Sequence, residues 1–277
     1  MKKKNNVVLH NKNVDPIIYE KYKDYVFDLC SAMQKELGDD VFVKVVFENE
    51  RKGFHSDHFA AEVSKEKKSF LIQLFSVNFN NDDEKYVKYF LQLTLFHEFT
   101  HIHDIIGTIK NPHTNFEPDS KITNRREHIL QLGFDFWTEF HAYSLGMHKF
   151  ELDIAPNTFF VIYKDYKKLK AEFEKLLFLE DSKEKYRLVE DYTNRADEFI
   201  YLLTEYCAAS HYKKFNVKEY SKKTEFDEHY IIITDFIIDA TYYCSKLYSG
   251  MFGKRQEEKL FEIGKIVYKI RRELGIQ

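Results

Sequence analysis

The stretch Leu95-Phe96-His97-Glu98-Phe99-Thr100-His101 guides the interpretation of this 277-residue chain. In a helix of about 3.6 residues per turn, His97 and His101 lie one turn apart on one face, so two imidazole nitrogens can converge on one ion. Glu98 lies about 100° around the helix, beside that ion but not on it. This spacing is typical of a zinc ion held by two histidines, with a glutamate acting as general base on a zinc-bound water.

The motif lies within a long predicted helix. The polar segment 81–84 resembles a capping box at its start, and Gly107 is expected to cap its end. Apolar residues at helical spacing fill the interval between them. Two imidazoles and a carboxylate are unfavourable in such a helix unless they gain partners, and a metal ion supplies them. We therefore predict a metal site here rather than ordinary core or surface histidines.

The third protein ligand must come from elsewhere in the chain. The extended motif with a third histidine fails, because Asp104 and Gly107 occupy its glycine and histidine positions. A predicted helix over 127–144 places Glu139 within an apolar stripe, where a carboxylate needs a cation. Glu139 is therefore the favoured third ligand of one zinc ion per chain. The alternatives are an ion pair of Glu139 with Lys or Arg, or ligation by His141, Asp135 or His128.

Residues from about 40 to 150 resemble zinc metallopeptidases of the gluzincin type. The resemblance rests on the H-E-F-T-H helix, the following W-T-E-F-H-A-Y helix and the short strands before them. It is closest to the small intracellular ImmA/IrrE-like enzymes of bacterial chromosomes, phages and mobile elements. The resemblance implies hydrolysis of peptide bonds by a zinc held by His97, His101 and Glu139, with Glu98 as base.

One position departs from the gluzincin pattern. Larger gluzincins often carry an Asp four residues after the ligand Glu, where it orients a ligand histidine, and this chain has Tyr143 there. Asp135 or Asp104 could take over that role. The residue that orients the imidazoles is therefore left open.

The predicted fold class is α+β, with a zincin-like core. A helix begins at Pro16 and ends at Gly38, and a small sheet is expected from strands at 41–47, 59–63 and 70–79. Strand 70–79 would either bind an extended peptide by strand addition or be packed within the sheet. Beyond Pro156 the pattern predicts helices at 159–179, 183–212, 225–248 and 256–274. We predict a metallopeptidase core over 1–155 and a helical region over 156–277, which could pack as one domain with the core.

Composition restricts the kinds of binding partner and the cellular compartment that we expect for this chain. A net charge of −3 gives no electrostatic footprint for nucleic acid. Three cysteines without C-x-x-C spacing fit reduced thiols in a cytosol. No segment has the apolar run of an export signal or a membrane span. We expect a cytoplasmic protein that acts on a protein or peptide substrate, with neither a nucleic acid nor a membrane as partner.

Three functions remain compatible with these patterns. The first is a cytosolic zinc-dependent metallopeptidase in which Glu98 activates a zinc-bound water. The second is a zinc-containing regulatory or partner-binding protein of zincin fold without peptidase activity. The third is a helical partner-binding protein in which the H-E-x-x-H motif is accidental.

Overall fold

The computed structural model describes residues 6–49, 61–64, 69–75, 79, 81–110, 115–118, 120–152, 154–180, 182–215, 227–248 and 256–276. It is an α+β protein in which helices predominate. The chain divides into two compact units, Met1–Ile106 and Gly107–Gln277, and each is described by itself. The domain boundary predicted near residue 155 stays a prediction.

The first unit contains a four-stranded sheet. Its strands are β1 (Val7–Asn11), β2 (Phe42–Glu48), β3 (Ala61–Ser64) and β4 (Ser69–Phe75). The order across the sheet is β1-β2-β4-β3, in which β2 is parallel to β1 and to β4, while β3 is antiparallel to β4. Because β4 pairs on both sides, the suggestion that this strand binds a peptide at a sheet edge is wrong. It is packed within the sheet, as the alternative interpretation expected.

Helix α1 (Pro16–Leu37) covers this sheet and has the predicted ends. Asp15 caps its start by accepting a hydrogen bond from the Ile17 amide at 2.7 Å, and Gly38 follows its last residue with a φ of 115°. Buried residues recur every fourth position along one face, which is the helical period expected of a core-facing helix: Tyr22, Val26, Cys30 and Gln34.

Helix α2 (Glu84–Ile109) carries the motif. Asp83 caps its start, since one carboxylate oxygen accepts hydrogen bonds from the Lys85 and Tyr86 amides at 2.9 and 3.3 Å. The helix continues past Gly107, so the expected C-terminal cap at this glycine is wrong. A glycine costs only about 1 kcal/mol inside a helix, and its presence alone does not end one.

The second unit is a bundle of five helices among its described residues. They are α3 (Arg125–Phe150), α4 (Thr158–Leu177), α5 (Lys183–Lys213), α6 (Glu228–Tyr248) and α7 (Gln256–Glu273). The last four agree within a few residues with the predicted helices. The core of the bundle contains large aromatic side chains with almost no exposed surface: Trp137, Phe140, Tyr166 and Tyr206.

Helices α3 and α7 cross at two glycines. A Cβ atom built on Gly133 would lie 1.9 Å from the Leu260 carbonyl oxygen, and one built on Gly264 would lie 1.8 Å from the Ile129 carbonyl oxygen. Each backbone therefore occupies the space that a side chain on the other helix would need. This crossing is closer than any pair of larger residues allows.

Candidate metal centre

The candidate metal centre lies in the middle of α2, within the first unit. Residues at helical spacing along one side of α2 are buried: Val87, Leu91, Leu95, Phe99 and Ile102. That apolar side fixes the helix in the core of its unit and determines where the histidines point. His97 is half-buried, whereas Glu98 and His101 are only 3% and 9% exposed.

The two histidines converge as the spacing predicts. The Nε2 atoms of His97 and His101 lie 2.9 Å apart, and the two ring planes are inclined at 82°. In a tetrahedral zinc site with bonds of about 2.0–2.1 Å, two nitrogen ligands are separated by about 3.3 Å. The observed separation is a few tenths of an ångström shorter, a difference that small side-chain rotations can supply. The pair could therefore take part in holding a metal ion.

Glu98 completes this cluster. One donor atom from each of His97, Glu98 and His101 lies within 4.8 Å of the other two, so the three side chains could hold a metal ion together. A carboxylate that is 3% exposed is costly to desolvate, and nearby cationic charge offsets that cost. Glu98 thus lies in the same cluster as the two imidazoles.

A second buried carboxylate follows the motif. Asp104 has no exposed surface, and its Oδ1 lies 3.7 Å from Nδ1 of His103, whose own side chain is 62% exposed. The nearby Asp104 carboxylate raises the pKa of His103, and partial desolvation of the imidazole acts in the opposite direction. This exposure of His103 is typical of a surface histidine.

Glu139 lies on α3, in the second unit. It is half-buried. Partial desolvation raises the pKa of Tyr201, and the negative charge of Glu139 adds to this effect. Ligation of zinc by Glu139 stays a prediction, because the cluster of potential ligands within the described residues consists of the three side chains on α2.

The alternative third ligands also lie on α3, in different surroundings. Asp135 is exposed and accepts a hydrogen bond from Gln131 at 2.7 Å. His141 stacks on Trp137 with ring centroids 5.4 Å apart, and the His128 ring lies edge-on to a tyrosine of α7.

Comparison of the chain with protein-family models, with curated proteins and with solved structures finds no match. Among the described residues, no helix combines the length and the apolar character needed to cross a membrane.

One feature of the second unit was not predicted from the sequence. A cavity of about 380 Å³ between α3 and α7 is lined by three cationic and two aromatic side chains. The signal for it was the doublet Arg125-Arg126 directly after the capping residue of a helix, a place where negative charge is favoured.

Proposed function

We propose that the protein is a zinc-dependent metallopeptidase in which His97 and His101 bind the metal ion and Glu98 is the general base. The observation that carries the proposal is the 2.9 Å separation of the two Nε2 atoms, with the Glu98 carboxylate in the same cluster. A zincin-like core and Glu139 as third ligand are parts of the same proposal. The gluzincin resemblance supplies the substrate class, a peptide bond.

Each residue has a separate task in this scheme. When bound, zinc supplies a Lewis acid that acidifies a water molecule and polarises a carbonyl group. Glu98 accepts the proton of the attacking water at a carboxylate oxygen and later delivers it to the leaving amine. Its burial keeps bulk water from competing for that proton and strengthens its electrostatic interactions. His97 and His101 provide neutral nitrogen donors.

Metal analysis is the first test of this proposal. Protein purified without added zinc and then supplemented should retain about one zinc ion per chain. His101→Ala should lose the ion, whereas His103→Ala should retain it, because His103 has an exposed side chain two residues from the same site. Wild-type protein that binds no zinc after supplementation would refute both metal-dependent functions.

Activity is tested by changing the base alone. Glu98→Gln preserves the size of the side chain and leaves the imidazoles in place, so zinc content should stay near one ion per chain while peptide hydrolysis falls by about 10²–10⁴-fold. Hydrolysis should be followed on a broad panel of peptides and folded proteins. Equal hydrolysis by wild type and Glu98→Gln, at equal zinc content, would show that Glu98 is not the base.

The third ligand has a matched pair of variants on α3. Glu139→Gln should weaken zinc binding by about 10²-fold or more, since one of three protein ligands is lost. Asp135→Asn, one turn earlier and exposed, should bind zinc as the wild type does. If Asp135→Asn weakens zinc binding and Glu139→Gln does not, the third ligand is Asp135 instead of Glu139.

A further inference from the structure

The cavity between α3 and α7 has the size of a small-molecule site. Its volume of about 380 Å³ falls within the range of about 300–1,000 Å³ found for ligand pockets. The lining combines apolar surface with positive charge: Ile129, Phe261 and Tyr268 provide the first, and Arg125, Arg126 and Lys265 the second. Such a lining suits a ligand that is apolar over one part and anionic over another.

Two of the cations are held in place by aromatic rings. The guanidinium carbon of Arg125 lies 5.3 Å from the ring centroid of Tyr268, and that of Arg126 lies 4.7 Å from the centroid of Phe261. Cation–π contacts at these distances restrict the long side chains while their N–H groups stay available at the edges. The guanidinium groups are therefore partly ordered before any anion binds.

The charges around the cavity do not cancel. Arg126 pairs with Glu257 at 2.8 Å, and Lys265 pairs with Glu262 at 2.6 Å. No carboxylate among the described residues lies within ion-pair distance of Arg125. Within the described part of the chain, the charge of Arg125 therefore has no carboxylate counterpart at the cavity wall.

The position of the arginines in α3 adds to this excess. Arg125 and Arg126 are the first two residues of the helix, after the capping residue Asn124. The helix dipole is positive at this end, so cations here are unfavourable and anions are favoured, a preference that Glu127 in the first turn meets only in part. Such a conflict between local preference and sequence is expected at functional sites. A bound anion would remove it.

We propose that this cavity binds a small phosphate monoester that carries an aromatic ring system, the class to which nucleoside monophosphates belong. The phosphate is bound by Arg125 and the start of α3, because forked guanidinium groups and helix N-termini are suited to phosphate oxygens. The ring system lies against Ile129 and Tyr268, since a phosphate ion alone would fill only a small part of the cavity.

Calorimetric titration of the full-length protein in phosphate-free buffer tests the proposal with three probes. Adenosine monophosphate should bind with a Kd below about 1 mM, and both inorganic phosphate and adenosine should bind at least about tenfold more weakly. Absence of binding by the nucleotide at millimolar concentration would overturn the proposal. If inorganic phosphate binds as tightly as the nucleotide, the apolar surface does not contribute to binding. If adenosine binds as tightly as the nucleotide, the cations do not contribute.

Two variants on the cavity side of the bundle locate the site. Arg125→Gln should weaken nucleotide binding by about tenfold or more, because a charge-assisted hydrogen bond is lost. Lys269→Gln changes an exposed cation of α7 that does not line the cavity, and its affinity should stay within about twofold of wild type. Equal affinities of wild type and Arg125→Gln would refute the site.

A measurement independent of these variants is the set of amide chemical-shift changes on nucleotide addition. These should cluster at Arg125, Phe261 and Tyr268, and changes confined to other parts of the chain would also refute the site. Glu98→Gln should bind the nucleotide as wild type does, so failure of this proposal is distinguishable from failure of the metallopeptidase proposal.

Discussion

Substitution of Gly264 by alanine tests how the helical bundle is held together. The new Cβ would lie 1.8 Å from the Ile129 carbonyl oxygen, and ordinary van der Waals contact begins at 3.4 Å, so the two helices must separate locally by about 1.6 Å. The obstructing atom belongs to the backbone and cannot rotate away. Overpacking typically costs about 1–3 kcal/mol, and separating the helices adds loss of packing around the crossing.

The net effect is the difference between this cost and a gain in helix propensity. Alanine is favoured over glycine inside a helix by about 1 kcal/mol. Because the clash involves backbone atoms, we expect a cost beyond the usual overpacking range and a net destabilisation of about 2–3 kcal/mol. For a unit of this size the midpoint of thermal unfolding should fall by about 5–10 °C.

Urea unfolding followed by circular dichroism gives the free energy of unfolding of each variant. Lys269→Ala, an exposed change on the same helix that adds nothing at the crossing, should stay within about 0.5 kcal/mol of wild type. Gly133→Ala and Gly264→Ala together should cost less than the sum of the single variants, because one separation of the helices relieves both clashes. A Gly264→Ala protein as stable as wild type would refute the close crossing.

Three further predictions concern the stability and reactivity of the chain. Asp227 pairs with Lys167 at 2.7 Å, which holds the pKa of the carboxyl well below its usual range, and it also caps α6. Asp227→Asn should therefore lower the free energy of unfolding by about 1 kcal/mol at pH 7. The difference between the two proteins should shrink as the pH falls below about 4, because the Asp227 carboxylate then becomes protonated, first in the unfolded chain. A difference that does not change with pH would contradict the ion pair of Asp227 with Lys167. The three cysteines are buried, and burial raises the pKa of the Cys207 thiol to about 12. A thiol reagent at pH 8 should therefore react with native protein far more slowly than with protein in denaturant. Comparable rates would show that the thiols are accessible. Gly275 has a φ of 71°, and a Cβ atom there would lie 1.9 Å from the Phe173 ring. Gly275→Ala should therefore lower the free energy of unfolding in urea by at least about 1–2 kcal/mol. An unchanged unfolding midpoint would contradict the backbone conformation described for Gly275.

Helices were the part of the fold that the sequence predicted best. The start of α1 was readable because Asp15 and Pro16 together form a strong local signal, and long apolar periodicity identified the helices of the second unit. The end of α2 was misplaced because Gly107 is only a weak local signal, and packing along the helix outweighs it. Strand β1 was missed, since five residues of alternating character give little periodicity to detect.

The histidine pair of the candidate metal site could be predicted from the sequence more directly than the third ligand. His97 and His101 belong to one helix, so the geometry of the helix alone predicts their convergence. Glu139 belongs to another helix, and its relation to the motif depends on tertiary packing that no spacing rule contains. The same limit explains why the cavity was missed, because its cations and rings come from segments more than 100 residues apart.

The short first strand has a consequence for how the protein behaves in concentrated solution. An edge strand has unpaired backbone N–H and C=O groups, which can pair with a strand of another molecule and so begin aggregation. Strand β1 is at one end of the sheet order, is only five residues long and includes His10 and Asn11, while the next residue, Lys12, forms an ion pair with Glu48. A short edge strand that ends in polar and charged groups is a poor template for such growth, so this edge of the sheet is protected against pairing with another molecule.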